Sequence, residues 1–343
     1  MSSRVATTVK VALGLAVSAV CLWLAIGQAP IAELADVLDQ VNYWWLVPAV
    51  LGTVVSLWGR GCRWRVLLAN RGTNLEYFWA QSIGCLLTNV FPLRAGEAGR
   101  VVIVNRRVGI PIVQVGASVV LERAVDLAFV LGMLAIVLLI MDVPWPVAAT
   151  GLALGVGLVA AWVSVFVLLL FGHRLTALIE RIAARLPERL GRLGLDAWAQ
   201  VLTALEPFRD ARTVWRVFAW AMLVWLSGIA AFWATIEAVV PGGSLLETTF
   251  ALTAIALGVA LPSSPGFIGV FQLIGQQALV TPFPDRYTAA SALMIALLNH
   301  AVYYVTTSAL GALGLARLGL SLRVVRTDGD AQGVPPPQTI TRA

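Results

Sequence analysis

Apolar residues in this chain run in long blocks with little polar interruption, and the blocks set the reading. A helix needs about 20 apolar residues to cross the hydrocarbon core of a bilayer. Val11–Gly27, Tyr43–Leu68, Ser118–Ile140, Val147–Phe171, Val214–Val239 and Tyr287–Leu315 have that character. Two further stretches, 75–116 and 245–281, are apolar but broken by Pro, Gly and polar residues. The pattern predicts an all-α, polytopic helical membrane protein with about six full spans and two broken or re-entrant helical hairpins.

Composition agrees. Of 343 residues, 59% are hydrophobic and 12% charged, against about 45–50% and about 25% in soluble chains. That leaves too little polar surface to cover a water-soluble body. Cys21, Cys62 and Cys85 have no CxxC spacing, and His173 and His300 lie far apart, so neither a disulfide framework nor a metal site is predicted. The net charge of +6 is therefore read by its placement, not as a nucleic-acid signal.

Placement gives an orientation. With the N-terminus inside, segments 1–10, 60–71, 94–107, 174–216 and 317–342 hold 22 of the 24 basic residues, and the outer connections 28–42, 141–146 and 237–247 hold none. The positive-inside rule then predicts an inner (cytoplasmic) membrane protein with both termini cytoplasmic. Arg4 and Lys10 before an apolar run resemble a signal peptide, but with so many later spans the first helix reads as uncleaved. Under this topology each broken stretch must enter and leave on one side: 75–116 on the cytoplasmic side, 245–281 on the outer side.

The breaks share a pattern. Pro92-x3-Gly96-x2-Gly99 matches Pro262-x3-Gly266-x2-Gly269, with Pro265 inside the second. The order of span, broken hairpin and span occurs twice, over about 43–140 and 214–315, in opposite directions. Inverted repeats with discontinuous helices are a transporter architecture, so these Pro and Gly residues are candidate breaks and gates. The competing reading is tight turns at the membrane surface.

Charge at membrane depth is a functional hypothesis by default. Glu122 and Asp126 are four apart and share a helix face, with Arg123 three before Asp126. With Arg94, Glu97 and Arg100 they could form a pocket for a phosphate-bearing head group, Asn89 lining or capping it. The alternative is an ion-pair lattice that pins the hairpin to the span, with Glu97 pairing Arg100. In the second half Ser263, Ser264, Gln272, Gln276, Asn299 and His300 offer a secondary polar lining or plain helix–helix hydrogen bonds. Tyr43-Trp44-Trp45 and Tyr303-Tyr304 read as interfacial belts.

Residues 1–320 form one membrane domain in this reading. Segment 172–213, where Arg174, Arg181, Arg185, Arg189 and Arg192 alternate with apolar residues, is a basic amphipathic helix on the cytoplasmic leaflet. Residues 321–343, with Pro335-Pro336-Pro337, read as a disordered cytoplasmic tail. Carboxylates at Glu33, Asp36 and Asp39 in the first outer loop raise a polyprenyl-phosphate-dependent membrane glycosyltransferase as an alternative. Ile31, Leu34, Leu38 and Val41 make that stretch an amphipathic surface helix, and no enzyme or cofactor motif accompanies it.

Four motifs occur in order: Arg60-Gly61-Cys62-Arg63-Trp64 with Leu67-Leu68; Asn89, Pro92, Arg94-Ala95-Gly96-Glu97 and Arg100; Glu122-Arg123-x-x-Asp126; and Leu261-Pro262-x-Ser264-Pro265-Gly266-x-x-Gly269-Val270-Phe271. Over about residues 5–320 the chain resembles the flippase-like family, the membrane domain of lysylphosphatidylglycerol synthases of the multiple peptide resistance factor type. It departs from that pattern at Gln272, where the family often carries Glu. The resemblance implies a lipid translocase without the C-terminal aminoacyl transferase domain, and so no enzyme. It also implies membrane lipids as partners: an anionic phospholipid, an aminoacyl-lipid or a polyprenyl-linked glycolipid. A second copy of the chain or a separate lipid-modifying enzyme is the candidate protein partner, no cofactor is implied, and a non-transporting scaffold is the remaining alternative.

Overall fold

The structure, a computed structural model, describes residues 3–91, 95–141, 156–157, 175–185, 187–260 and 264–320. Among them every regular element is helical. The helices are α1 (Ser3–Gly27), α2 (Ile31–Asp39), α3 (Leu46–Leu67), α4 (Asn74–Val90), α5 (Ala95–Val108), α6 (Ile112–Ile140), α7 (Glu188–Leu205), α8 (Ala211–Val239), α9 (Leu245–Gly258), α10 (Val270–Val280) and α11 (Ala289–Leu318).

Four of the predicted crossings coincide with helices long and apolar enough to span: Tyr43–Leu67, Ile112–Ile140, Ala211–Val239 and Ala289–Leu318. In the first predicted crossing, Ala12–Gly27 forms a bent pair with Ile31–Asp39 across 78°, a broken span or a re-entrant loop, which brings the candidates among the described residues to as many as five. Pro30, with no amide hydrogen to donate, stands at the bend as the residue before α2. Of the predicted crossing 147–171 only 156–157 are described, both helical, while the tail 321–343 and Arg174 lie outside the described residues; Arg181, Arg185 and Arg192 are exposed on the described part of the basic segment. Leu13, Leu51, Val120, Leu139, Trp215 and Val305 are each more than half exposed, an apolar exterior suited to lipid.

The order of long helix, two short helices and long helix occurs twice, as α3–α4–α5–α6 and α8–α9–α10–α11. Both first short helices open with the same device. Thr73 and Glu76 form a capping box at α4, and Ser244 and Glu247 form one at α9. In each, hydroxyl and carboxylate satisfy amide donors that the first helical turn leaves open.

Packing between the sets is reciprocal. α3 packs on α8, α4 on α11, and α9 on α6. Along α3, Gly52 faces Ser227 and Ala231 while Gly59 faces Val224, so the two helices run antiparallel. Each set has its own core: Trp64, Tyr77, Ile83, Leu87 and Ile103 in the first, and Phe232, Ile236, Ile255, Leu279 and Ile295 in the second.

The short helices turn back on themselves. A Cβ on Gly96 would fall 1.8 Å from the Gly84 carbonyl oxygen, so α5 can lie this close to α4 only with glycine there. Past the second break, Gly269 has φ +89° and faces the Ser18 carbonyl of α1, which a Cβ would approach to 2.1 Å. α1 is thus seated against the second break, where Ser18 Oγ also accepts from the Ser264 amide at 2.9 Å.

Candidate functional site

Five of the charged residues singled out from sequence, Glu97, Arg100, Glu122, Arg123 and Asp126, converge between α3, α4, α5 and α6. Glu122 is wholly buried and accepts from Arg100 Nη1 at 2.7 Å and from Arg63 Nη2 at 3.3 Å. Asp126, one turn on, pairs with Arg63 Nη1 at 2.7 Å and Arg123 Nη1 at 3.4 Å. Arg123 Nε reaches Glu97 at 3.2 Å, and this outer pair is about 40% exposed (41% and 38%). Among the described residues, three guanidinium groups and three carboxylates pair in this lattice.

Neutral neighbours complete it. Gln81 on α4 accepts from Arg100 and donates to Glu122 Oε1 at 3.4 Å. The Arg100 guanidinium lies 4.7 Å from the centre of the Trp64 ring, whose Nε1 donates to Ser118 Oγ at 2.9 Å. Burial in low dielectric strengthens each pair and raises the cost of leaving any member alone.

Several expectations are revised here. Arg63, counted in sequence as a cytoplasmic loop charge, is 0% exposed and ties both carboxylates of α6 to α3. Arg100, expected in the polar pocket, is 3% exposed. Arg100 and Glu97 pair across helices, to Glu122 and Arg123, where the spacing pointed to a pair within α5. Asn89 stands apart from the lattice: its Nδ2 donates to Thr307 Oγ1 at 3.1 Å and Ser308 Oγ at 2.9 Å on α11. Pro92, Arg94, Pro262 and Ser263 lie outside the described residues. Gly99 is buried on α5.

The two breaks meet. The Asn89 carbonyl accepts from Tyr304 Oη at 3.2 Å, and Gly266, at φ +67° in the turn Pro265–Phe267, lies against the Tyr304 ring and that same carbonyl. Tyr303 Oη is 3.9 Å from Cys85 Sγ. Both tyrosines therefore face protein, not the membrane interface, because the end of α4 supplies polar partners at their depth. At Tyr43–Trp45 the belt reading fits, with Trp44 83% exposed.

The second-half polar residues bond between helices. Gln272 Nε2 and His300 Nδ1 are 2.7 Å apart, the Gly269 amide donates to Gln272 Oε1 at 2.7 Å, and Phe271 stacks on His300 at 4.4 Å. Gln276 Nε2 donates to the Ala25 and Ala289 carbonyls, Asn299 Nδ2 to Thr235 Oγ1 at 3.4 Å, and Ser264 Oγ to the Ile268 carbonyl. Beside these, a cavity of about 110 Å³ opens between α3, α8, α9 and α11.

Arg63 and Gln81 were missed as site residues. Arg63 is an arginine five residues before the end of the apolar block Tyr43–Leu68, a place where loop charges also sit. Gln81 is a lone amide with no patterned partner.

Comparison with known proteins gives two findings. The family model described as lysylphosphatidylglycerol synthase TM region matches residues 11–311. Glycosyltransferase AglD of Haloferax volcanii is 28% identical over 356 aligned positions, covering 93% of this chain and 56% of that protein. The chain thus spans little more than half the length of this curated relative. No solved structure matches the chain.

Proposed function

The chain belongs to the lysylphosphatidylglycerol synthase TM region family, and from that lipid-related membrane setting we propose that it is a translocase, moving a polar-headed or polyprenyl-linked lipid between leaflets. One observation carries the reading. Two antiparallel helical sets pack reciprocally, and their breaks meet at Asn89, Tyr304 and Gly266. That arrangement supports an inverted repeat about a pseudo-two-fold axis, in which one set rocks against the other around a polar centre. The lattice of Arg63, Arg100, Glu122 and Asp126 holds α5 rigidly to α3 and α6, while the Glu97–Arg123 pair gives it an open edge toward a head group. The acyl or prenyl chains stay in lipid.

In this reading the chain sits in the cytoplasmic membrane with its Arg-rich ends inside. Impermeant labelling should reach a cysteine at Arg71 and one at Asp285 from opposite sides; labelling from one side would reject the orientation. The partners are anionic phospholipids, aminoacyl-lipids or polyprenyl-linked glycolipids.

A second reading, a polyprenyl-phosphate-dependent glycosyltransferase, draws on the similarity to a protein named glycosyltransferase. Against it, Glu33, Asp36 and Asp39 are exposed along α2, whose first and last turns they occupy, and do not converge on a pocket. Lipid mass spectrometry on the purified chain tests the main reading. Enrichment of one polar-headed or polyprenyl lipid over the bulk membrane supports it; a lipid content equal to the bulk, or sugar transfer by the chain alone, would sink it.

A further inference from the structure

The cavity between α3, α8, α9 and α11 lies beside the meeting of the breaks, sharing Tyr303 and Thr307 with it, and none of the charge-lattice residues lines it. Thr53, Ser56, Leu57 and Arg60 reach it from one face of α3, at i, i+3, i+4 and i+7. Asn299, Tyr303 and Thr307 reach it from one face of α11, and Val224, Trp225, Gly228 and Ala231 from α8.

Its electrostatics are one-sided. Among the described residues Arg60 is its one charged lining residue, and no aspartate or glutamate lines it. Arg60 lies one turn before Arg63 on α3 and acts on the Glu122 carboxylate through space, but among the described residues it closes no ion pair or hydrogen bond of its own, and the three described lattice arginines are already paired with three carboxylates. Trp225 carries a second spare donor: its indole Nε1 is buried without an acceptor, and the residue is 8% exposed.

The lining hydroxyls of Thr53, Ser56 and Thr307 donate their protons within the protein, each to a helix carbonyl, at 2.9, 3.2 and 2.8 Å, and so offer none to an anion. A surplus guanidinium in a span is expected to face a partner or a water-filled cavity. Guanidinium geometry favours a bidentate oxyanion, and a buried indole N–H wants an acceptor. At about 110 Å³ the space suits a phosphate group and not a whole lipid.

We propose that this cavity is an anion site, with Arg60 as its cationic anchor and Trp225 as a second donor, that takes the phosphate of a net-anionic ligand. A lipid head group and free phosphate share this chemistry. The lipid source rests on the translocase reading; the anion chemistry does not.

The test uses the full chain, purified in a neutral detergent, and native mass spectrometry. The probes are dihexanoyl phosphatidylglycerol, dihexanoyl phosphatidylcholine and inorganic phosphate. Phosphatidylglycerol should bind more tightly than phosphatidylcholine, whose choline meets no carboxylate here. Arg60→Gln should weaken phosphatidylglycerol binding at least about tenfold, Arg60→Lys should retain most of it, and Trp225→Phe should cost less than Arg60→Gln.

Phosphate binding as tightly as phosphatidylglycerol, with the same dependence on Arg60, upholds the anion site and assigns it to a free anion. Equal binding of both lipids, or unchanged binding in Arg60→Gln with the helical signal intact, overturns the proposal. If lipid transfer is absent while Arg60-dependent binding stands, the translocase reading fails and the site survives.

Discussion

Glu122→Ala is the most informative perturbation of the lattice. The carboxylate is wholly buried, 2.7 Å from Arg100 and 3.3 Å from Arg63. Removing it leaves two guanidinium groups at membrane depth with Asp126 as the nearest remaining carboxylate for Arg63. Breaking a buried pair by deleting one partner costs about 3–5 kcal/mol, because the survivor is left desolvated and unmatched. Glu122→Gln keeps an acceptor for Arg100 and should cost less, about 1.5–3 kcal/mol, the range for a charged hydrogen bond. Arg100→Gln combined with Glu122→Gln restores neutrality, so the double variant should be more stable than the sum of its singles by about 1–3 kcal/mol. Equilibrium unfolding in mixed micelles with increasing dodecyl sulfate, followed by far-ultraviolet circular dichroism, measures the wild type and the four variants. A loss below about 1 kcal/mol for Glu122→Ala, the value of an exposed pair, together with additivity in the double variant, would refute the reasoning.

Three further outcomes are expected. Glu97→Ala breaks only the partly exposed pair with Arg123 and should change stability by less than about 1 kcal/mol in the same titration. Gly96→Ala drives a Cβ into the Gly84 carbonyl at 1.8 Å; it should cost about 1–3 kcal/mol by forcing α5 off α4. Asp210 caps α8, accepting from the Thr213 hydroxyl and the Arg212 and Thr213 amides, and these bonds, the Thr213 hydroxyl first, hold its carboxyl below the usual range. A depressed folded pKa means the cap contributes above the unfolded value of about 4 and is lost as pH falls through the folded one. Amide exchange protection in the first turn of α8 should therefore fade with acidification, and Asp210→Asn should remove that dependence.

Much of the scaffold was legible in the chain. The apolar blocks located α3, α6, α8 and α11, because a membrane helix must satisfy its own backbone and shed polar side chains. The i, i+4 spacing of Glu122 and Asp126 foretold that one face of α6 would carry both carboxylates, and Arg63 binds both. Spacing reports a face but not the neighbour across from it. Hence Arg63 passed for a loop charge, Glu97 was matched to the wrong arginine, and Tyr303 and Tyr304 passed for a belt. One unused signal was present: Thr73-x-x-Glu76 and Ser244-x-x-Glu247 begin equivalent helices at nearly the same distance before Pro92 and Pro262. Those matched capping boxes support the proposed repeat more specifically than the scattered Pro and Gly do.

The central claim is movement of lipid, and reconstitution tests it most directly. The purified chain is placed in liposomes carrying a trace of head-group-accessible labelled phosphatidylglycerol or a labelled polyprenyl phosphate, and the label is quenched from outside over time. The account predicts that at least one of these lipids crosses faster than in protein-free liposomes, and that Gly96→Ala, which parts the helices at the first break, slows it. Transfer of both lipids at the protein-free rate, in vesicles where circular dichroism shows the helices intact, would contradict it.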